Sequence, residues 1–170
     1  LTGSAVEILS PIATGDLHCW RGLPAHLNLA GVTAAFPRDS DWSGAGQLGR
    51  RHRAASYLWA DLADPQRKMR VWFEEDRVVL IDLACSWIHG DRDRIVGFFG
   101  EPAAALDTWQ GVVPMPRAEL VFPGSGIAVF FSRDLGSIWH LALYSPVALN
   151  VYEDDLRLNM ETRRHKPREQ

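Results

Sequence analysis

MRVWFEEDRVVLIDLACS, residues 69–86, aligns without a gap to IAVFFSRDLGSIWHLALY, residues 127–144, at a constant shift of 58 residues. Val71 meets Val129, Phe73 meets Phe131, Asp76 meets Asp134, Leu83 meets Leu141 and Ala84 meets Ala142. Trp72 and Phe130 are both aromatic. With a larger shift the match runs upstream, Arg53-Ala54 against Arg117-Ala118 and Val32, Ala35, Phe36 against Ile95, Phe98, Phe99. Such self-similarity is the mark of a duplicated unit, and it decides the fold before any single motif does.

Each unit reads as a short helix followed by strands. Leu29, Val32, Ala35 and Phe36 share one helical face, and Pro37 stops that helix. Arg38–Arg53 reads as loop, holding three Gly, two Ser and five basic residues. Ala54–Leu62, Met69–Phe73 and Val78–Trp87 read as strands, separated by Asp64-Pro65 and by the hairpin tip Glu74-Glu75-Asp76. A second helix begins at Ile95, Phe98 and Phe99 and closes at Gly100-Glu101-Pro102. Residues 103–116 read as loop. Ala118–Phe122, Ile127–Phe131 and Ile138–Tyr144 then read as strands, and Asn150–Leu158 as a last strand or short helix.

Short turns force antiparallel neighbours. The expected fold is therefore α+β: two tandem helix-plus-antiparallel-meander repeats forming one sheet, with the helices on one face. The divisions are an N-terminal segment 1–22, with Ala5–Leu9 as a candidate edge strand, repeats at 23–89 and 90–146, and a C-terminal segment 147–170 ending in the basic stretch Arg163–Gln170.

Bulk properties agree with an ordinary globular chain. It has 170 residues, 46% of them hydrophobic, and a net charge of −3, which gives no bulk pull toward nucleic acid or an anionic membrane. Cys19 and Cys85 are the only cysteines, and Cys85 lies in an apolar strand pattern, so a reducing, cytoplasmic setting is expected. Lys68 and Lys166 are the only lysines among 18 basic residues, a bias that suggests a GC-rich bacterial genome. No apolar stretch reaches the roughly 18 residues of a membrane span, and Ala5–Ala13 lacks the basic start of a signal peptide.

Period-2 alternation assigns two faces to the sheet. Val71, Phe73, Val79, Ile81, Leu83 and Cys85 share the first with Val129, Phe131, Trp139, Leu141 and Leu143, and this face is expected under the helices. The second face carries Trp59, Arg70, Trp72, Asp82, Phe130, Ile138, His140 and Tyr144. Aromatics mixed with polar groups on a sheet face suit protein docking. The alternative is that loop 38–53 and the terminal segments cover this face.

The layout resembles the β-lactamase inhibitor protein architecture, with VWFEEDRVVLIDL (residues 71–83) the closest local match to its repeat. The resemblance implies a concave sheet used as a protein-docking surface. The expected function is accordingly a small bacterial protein-binding module of inhibitor or immunity type, monomer or homodimer, binding through Trp59, Arg70, Trp72, Asp82, Phe130, His140 and Tyr144. The alternatives are a small-molecule binder or enzyme with a cleft lined by His140, Asp82 and Trp59, and a subunit that self-associates through edge strands.

Catalytic and cofactor signatures are weak. Gly44–Gly49 has the form G-x-G-x-x-G without a buried strand before it, so it fails as a dinucleotide fingerprint. Arg50, Arg51, His52 and Arg53 read as a solvated run balanced by Asp39 and Asp41, or else as an anion site. The histidine and cysteine spacings suggest no metal, and no cofactor is expected. Glu74-Glu75-Asp76 and Glu153-Asp154-Asp155 read as solvated acidic turns. Asp82 and His140, at equivalent repeat positions, are expected several strands apart and out of hydrogen-bond reach.

Overall fold

The computed structural model describes residues 27–35, 43–61, 68–86 and 88–160. The Ala5–Leu9 strand, the Pro37 helix stop, the Asp64-Pro65 turn, Cys19, Asp39, Asp41 and the basic end Arg163–Gln170 lie outside them. Helix α1 (Leu29–Ala35) leads into strands β1 (Ser43–Leu48), β2 (Arg53–Asp61), β3 (Lys68–Glu74) and β4 (Arg77–Ala84). Helix α2 (Arg92–Phe99) leads into β5 (Ala104–Gln110), β6 (Val113–Phe122), β7 (Ile127–Phe131) and β8 (Ile138–Leu143). A short helix α3 (Leu149–Val151) runs into a π-helical turn, Tyr152–Leu156.

All eight strands form one antiparallel sheet in the order β1-β2-β3-β4-β8-β7-β6-β5. Each meander therefore has four strands, one more than the three read from sequence. Two stretches read as loop supply the difference. Ser43–Leu48 pairs along its whole length with β2, and Ala104–Gln110 pairs with β6. Pro114 and Pro116 disguised the start of β6. Among the described strands, only β5 flanks that stretch, because β7 pairs with Glu119–Phe122 alone, and proline is tolerated where a ladder has an open side.

The two meanders join through their last strands, β4 against β8. This join corrects the expected separation of Asp82 from His140. The gap-free alignment also shifts. Both halves carry a β-bulge at matched places, between Trp72 and Phe73 and between Phe130 and Phe131. The second hairpin is longer, however: Phe73 pairs with Val78 whereas Phe131 pairs with Ile138. Asp82 pairs directly with Ala142 across β4 and β8. Upstream, Leu58 pairs with Val71 and Leu120 pairs with Val129.

The helices begin on hairpins. The Leu29 N–H donates to Asp76 O at 2.7 Å, and the Arg92 N–H donates to Leu135 O at 3.3 Å. Asp91 caps α2 by accepting the Arg94 N–H at 2.9 Å, which satisfies one of the free amides of its first turn. One buried cluster holds Val32 of α1 and Ile95 of α2 with Val71, Ile81, Leu83, Cys85, Val129, Phe131 and Leu141. A second holds Leu48, Trp72, Leu80, Val121, Phe130, Tyr144, Tyr152 and Leu156. The bulges flip the alternation beyond them. Val78 and Ile138 thus enter the first cluster, while Val79 and Trp139 pack on the second, opposite to a strict period of two.

Candidate functional site

The second face centres on Asp82, a lone carboxylate inside the apolar run of β4. Ladder register places Arg70 directly opposite it on β3. Trp59 of β2 faces Arg70, and Tyr57 faces Trp72. On the other flank Ala84 faces His140 of β8, which leaves His140 diagonal to Asp82 on the same side of the sheet. Diagonal cross-strand neighbours lie within reach of long side chains. Asp82 Oδ2 accepts from Arg70 Nε at 2.8 Å and from Trp72 Nε1 at 2.5 Å, while Oδ1 lies 3.1 Å from His140 Nε2. Three strands thus converge on one buried carboxylate.

Burial alone pushes the Asp82 carboxyl up. The hydrogen bond and charge of His140 and the Arg70 guanidinium outweigh it and hold Asp82 below the ordinary carboxylate range. Asp82 is an anion fixed by its neighbours, not a group poised near neutrality to exchange protons.

Arg70 is the outward member of this group. Its side chain is 24% exposed, against 2% for Asp82 and 9% for His140. Its guanidinium carbon lies 4.6 Å from the ring centre of Trp72, 5.2 Å from Tyr57 and 5.4 Å from Trp59. Cation–π attraction to three rings restricts where the guanidinium can sit. The glycines of the G-x-G-x-x-G stretch make room for this frame. A Cβ on Gly44 would fall 2.5 Å from Tyr57 Oη, and one on Gly46 would fall 2.9 Å from the Trp72 ring. The pattern that resembles a phosphate loop is an edge strand flattened to admit two rings.

The C-terminal segment covers another part of the second face, whereas Ser43–Leu48 of the loop expected to share in that cover is strand β1 of the sheet. Tyr152 stacks on Tyr144 with ring centres 4.7 Å apart. Its hydroxyl donates to Glu119 Oε1 at 2.6 Å, and Arg157 Nε donates to Glu119 Oε2 at 2.8 Å. Glu119 is fully buried, and burial raises its carboxyl above the ordinary range although Arg157 and Tyr152 pull it down. Arg157 also donates to the Asp107 carbonyl on β5. At the other edge the Gly49, Arg50 and Arg51 amides donate to carbonyls of Arg157, Glu153 and Asp154. Arg50 and Arg51 pair with Asp154 and Asp155, and Arg53 pairs with Glu74. Arg50 and Arg51 stay exposed while pairing with the acidic run, and Glu75 and Asp76 are exposed at their turn. Gly49 is required at this junction: its φ is +67°, and a Cβ would fall 2.0 Å from Asp154 O.

Of the seven residues expected to dock a partner, Trp72, Asp82, Phe130, His140 and Tyr144 are buried. Phe130 packs edge-on against His140 at 5.6 Å, and Tyr144 donates to Ile127 O at 3.2 Å. Trp59 and Arg70 keep partial exposure, and Ala84 is exposed. Arg70, Trp72, Asp82 and His140 do come together, whereas Tyr144 belongs to the C-terminal contact. Sequence reasoning missed Glu119, Tyr152 and Arg157. The available signal was Glu119 itself, which like Asp82 interrupts an apolar strand.

Two clefts border the C-terminal segment. One of about 250 Å³ is lined by Gln47, His52, Asp107, Trp109, Arg157 and Asn159 among others. The other, about 360 Å³, includes Arg53, Val79, Ser145, Val147 and Leu156. Neither includes Asp82 or His140. Among the described residues no group of three His, Cys, Asp or Glu side chains could hold a metal ion, and no helix is long and apolar enough to cross a membrane. No protein-family model matches this chain, and neither a curated protein nor a solved structure matches it.

Proposed function

We propose that the chain is a protein-binding module that docks its partner on the part of the second face around Trp59, Arg70 and Ala84. The observation that carries this reading is the preorganised Arg70, partly exposed and framed by aromatic rings above a buried counter-ion. Trp, Tyr and Arg are the residues that dominate binding energy at interfaces. Rigid support beneath them reduces the ordering cost of association. The inhibitor or immunity class follows from the layout resemblance to β-lactamase inhibitor protein. We also read the two meanders as copies of one unit, a reading supported by the matched bulges and by the paired hairpin-to-helix hydrogen bonds.

The test is affinity capture from native lysate with immobilised wild type, Trp59→Ala and Ala84→Arg. The first variant removes an anchor, and the second places bulk and charge on the exposed patch opposite His140. A protein retained by wild type should fall at least about tenfold with both variants, the loss of roughly one hot-spot contact. Identical retention by all three would remove docking from this patch.

A second reading, a small-molecule binder or enzyme, has the His140–Asp82 contact of 3.1 Å in its favour. A histidine held by a carboxylate is the arrangement of a general base. Against it stand the burial of both residues and the absence of either from the two clefts described above.

A further inference from the structure

We infer that the outer edge of the Arg70 guanidinium is a carboxylate-reading site for an acidic side chain of the partner, an inference that rests on the docking reading above. A guanidinium carries five N–H donors in a planar fork. Arg70 directs Nε at Asp82, while Nη1 and Nη2 make no hydrogen bond or ion pair with any described residue. The edge formed by those two nitrogens is therefore the unspent part of the fork, on a side chain that reaches solvent.

Three features turn this edge from an ordinary surface arginine into a built site. Asp82 is itself buried and held by Trp72 and His140, so it fixes the direction of Nε. The rings of Tyr57, Trp59 and Trp72 surround the guanidinium and restrict its plane. Trp59, directly opposite Arg70 on the neighbouring strand, offers an apolar wall for the methylene groups that carry a side-chain carboxylate.

The charge balance selects the ligand. Arg70 and Asp82 together are neutral, so the site attracts through oriented donors more than through net charge. A planar monoanion can take two parallel N–H···O bonds from the fork. A phosphate dianion carries a second charge toward the Asp82 carboxylate and has more hydration to lose, so it is disfavoured. Lysine cannot replace the arginine here, since an ammonium lacks the planar fork.

Nuclear magnetic resonance of the Arg70 Nε–H and the Trp59 indole N–H tests this, with N-acetyl-glutamate N-methylamide as probe at constant ionic strength. Saturable shifts of both signals are expected, weakened roughly tenfold in Arg70→Lys by loss of the bidentate geometry, and weakened also in Trp59→Ala. The glutamine analogue should give no saturable shift, and inorganic phosphate should bind more weakly than the glutamate probe. Absence of saturation with the glutamate probe, equal shifts with the glutamine analogue, or tighter binding of phosphate would each overturn the carboxylate assignment. Arg70→Lys retains the cation beside Asp82, and Trp59→Ala leaves the ion pair intact, so the test does not depend on a variant that strands a buried charge. The two readings fail separately. A negative titration removes the carboxylate chemistry, whereas unchanged capture by Trp59→Ala and Ala84→Arg removes docking at this patch.

Discussion

Asp82 and Glu119 are both single carboxylates inside apolar strands, and the chain handles them differently. Asp82 receives Arg70, Trp72 and His140 and stays ionised below the ordinary range. Its contribution to stability is present above its unfolded value and is lost as pH falls through the lowered folded value. Glu119 has Arg157 and Tyr152, yet its burial prevails and its carboxyl is raised above the ordinary 4.5. The sign is therefore reversed: the folded state binds the proton more readily than the unfolded chain, and wild type loses stability as pH rises through that window. Glu119→Gln removes this titration. In urea unfolding, wild type should gain on Glu119→Gln as pH falls from about 7 to about 5. A constant difference across that range would show that Glu119 titrates normally.

At the scale of elements, the strand β1 and the C-terminal segment explain each other. Gly44 and Gly46 alternate onto the side where Tyr57 and Trp72 lie, and Gly49 turns the chain so that the next two amides reach the C-terminal segment. Gly46→Ala should destabilise the fold by roughly 1–3 kcal/mol, the usual cost of overpacking, because Trp72 is held by Asp82 and Tyr57 and cannot easily retreat. Urea midpoints measure this, and an unchanged midpoint would mean that the ring is free to move. Much of the element layout is legible in sequence. The hairpins at Glu74-Glu75-Asp76 and Pro123–Gly126, both helices and the apolar strands β4, β7 and β8 follow from periodicity and turn chemistry. The strand β1 does not, because its glycines answer to rings contributed by β2 and β3. Nor does the start of β6, whose prolines are allowed only because the ladder is open on one side there. Both depend on neighbours far along the chain, which a local window does not contain.

At the scale of the whole molecule, the decisive fact is which strands meet. The residue set Arg70, Trp72, Asp82 and His140 is legible from face alternation. Its assembly into one site is not, because repeats laid end to end separate Asp82 from His140. The sheet instead joins the two meanders through β4 and β8, so the side chains of one half complete the ion pair of the other. The register of β4 against β8 sets Ala142 opposite Asp82 and His140 on the diagonal. This union orders Asp82 and, through it, Arg70.

A double-mutant cycle on Asp82→Asn and His140→Gln, read by urea unfolding at neutral pH, tests it most directly. Residues in contact couple by about 0.5–3 kcal/mol, whereas residues more than about 7–10 Å apart add. The join of β4 to β8 predicts a coupling within that range; additive effects would contradict it.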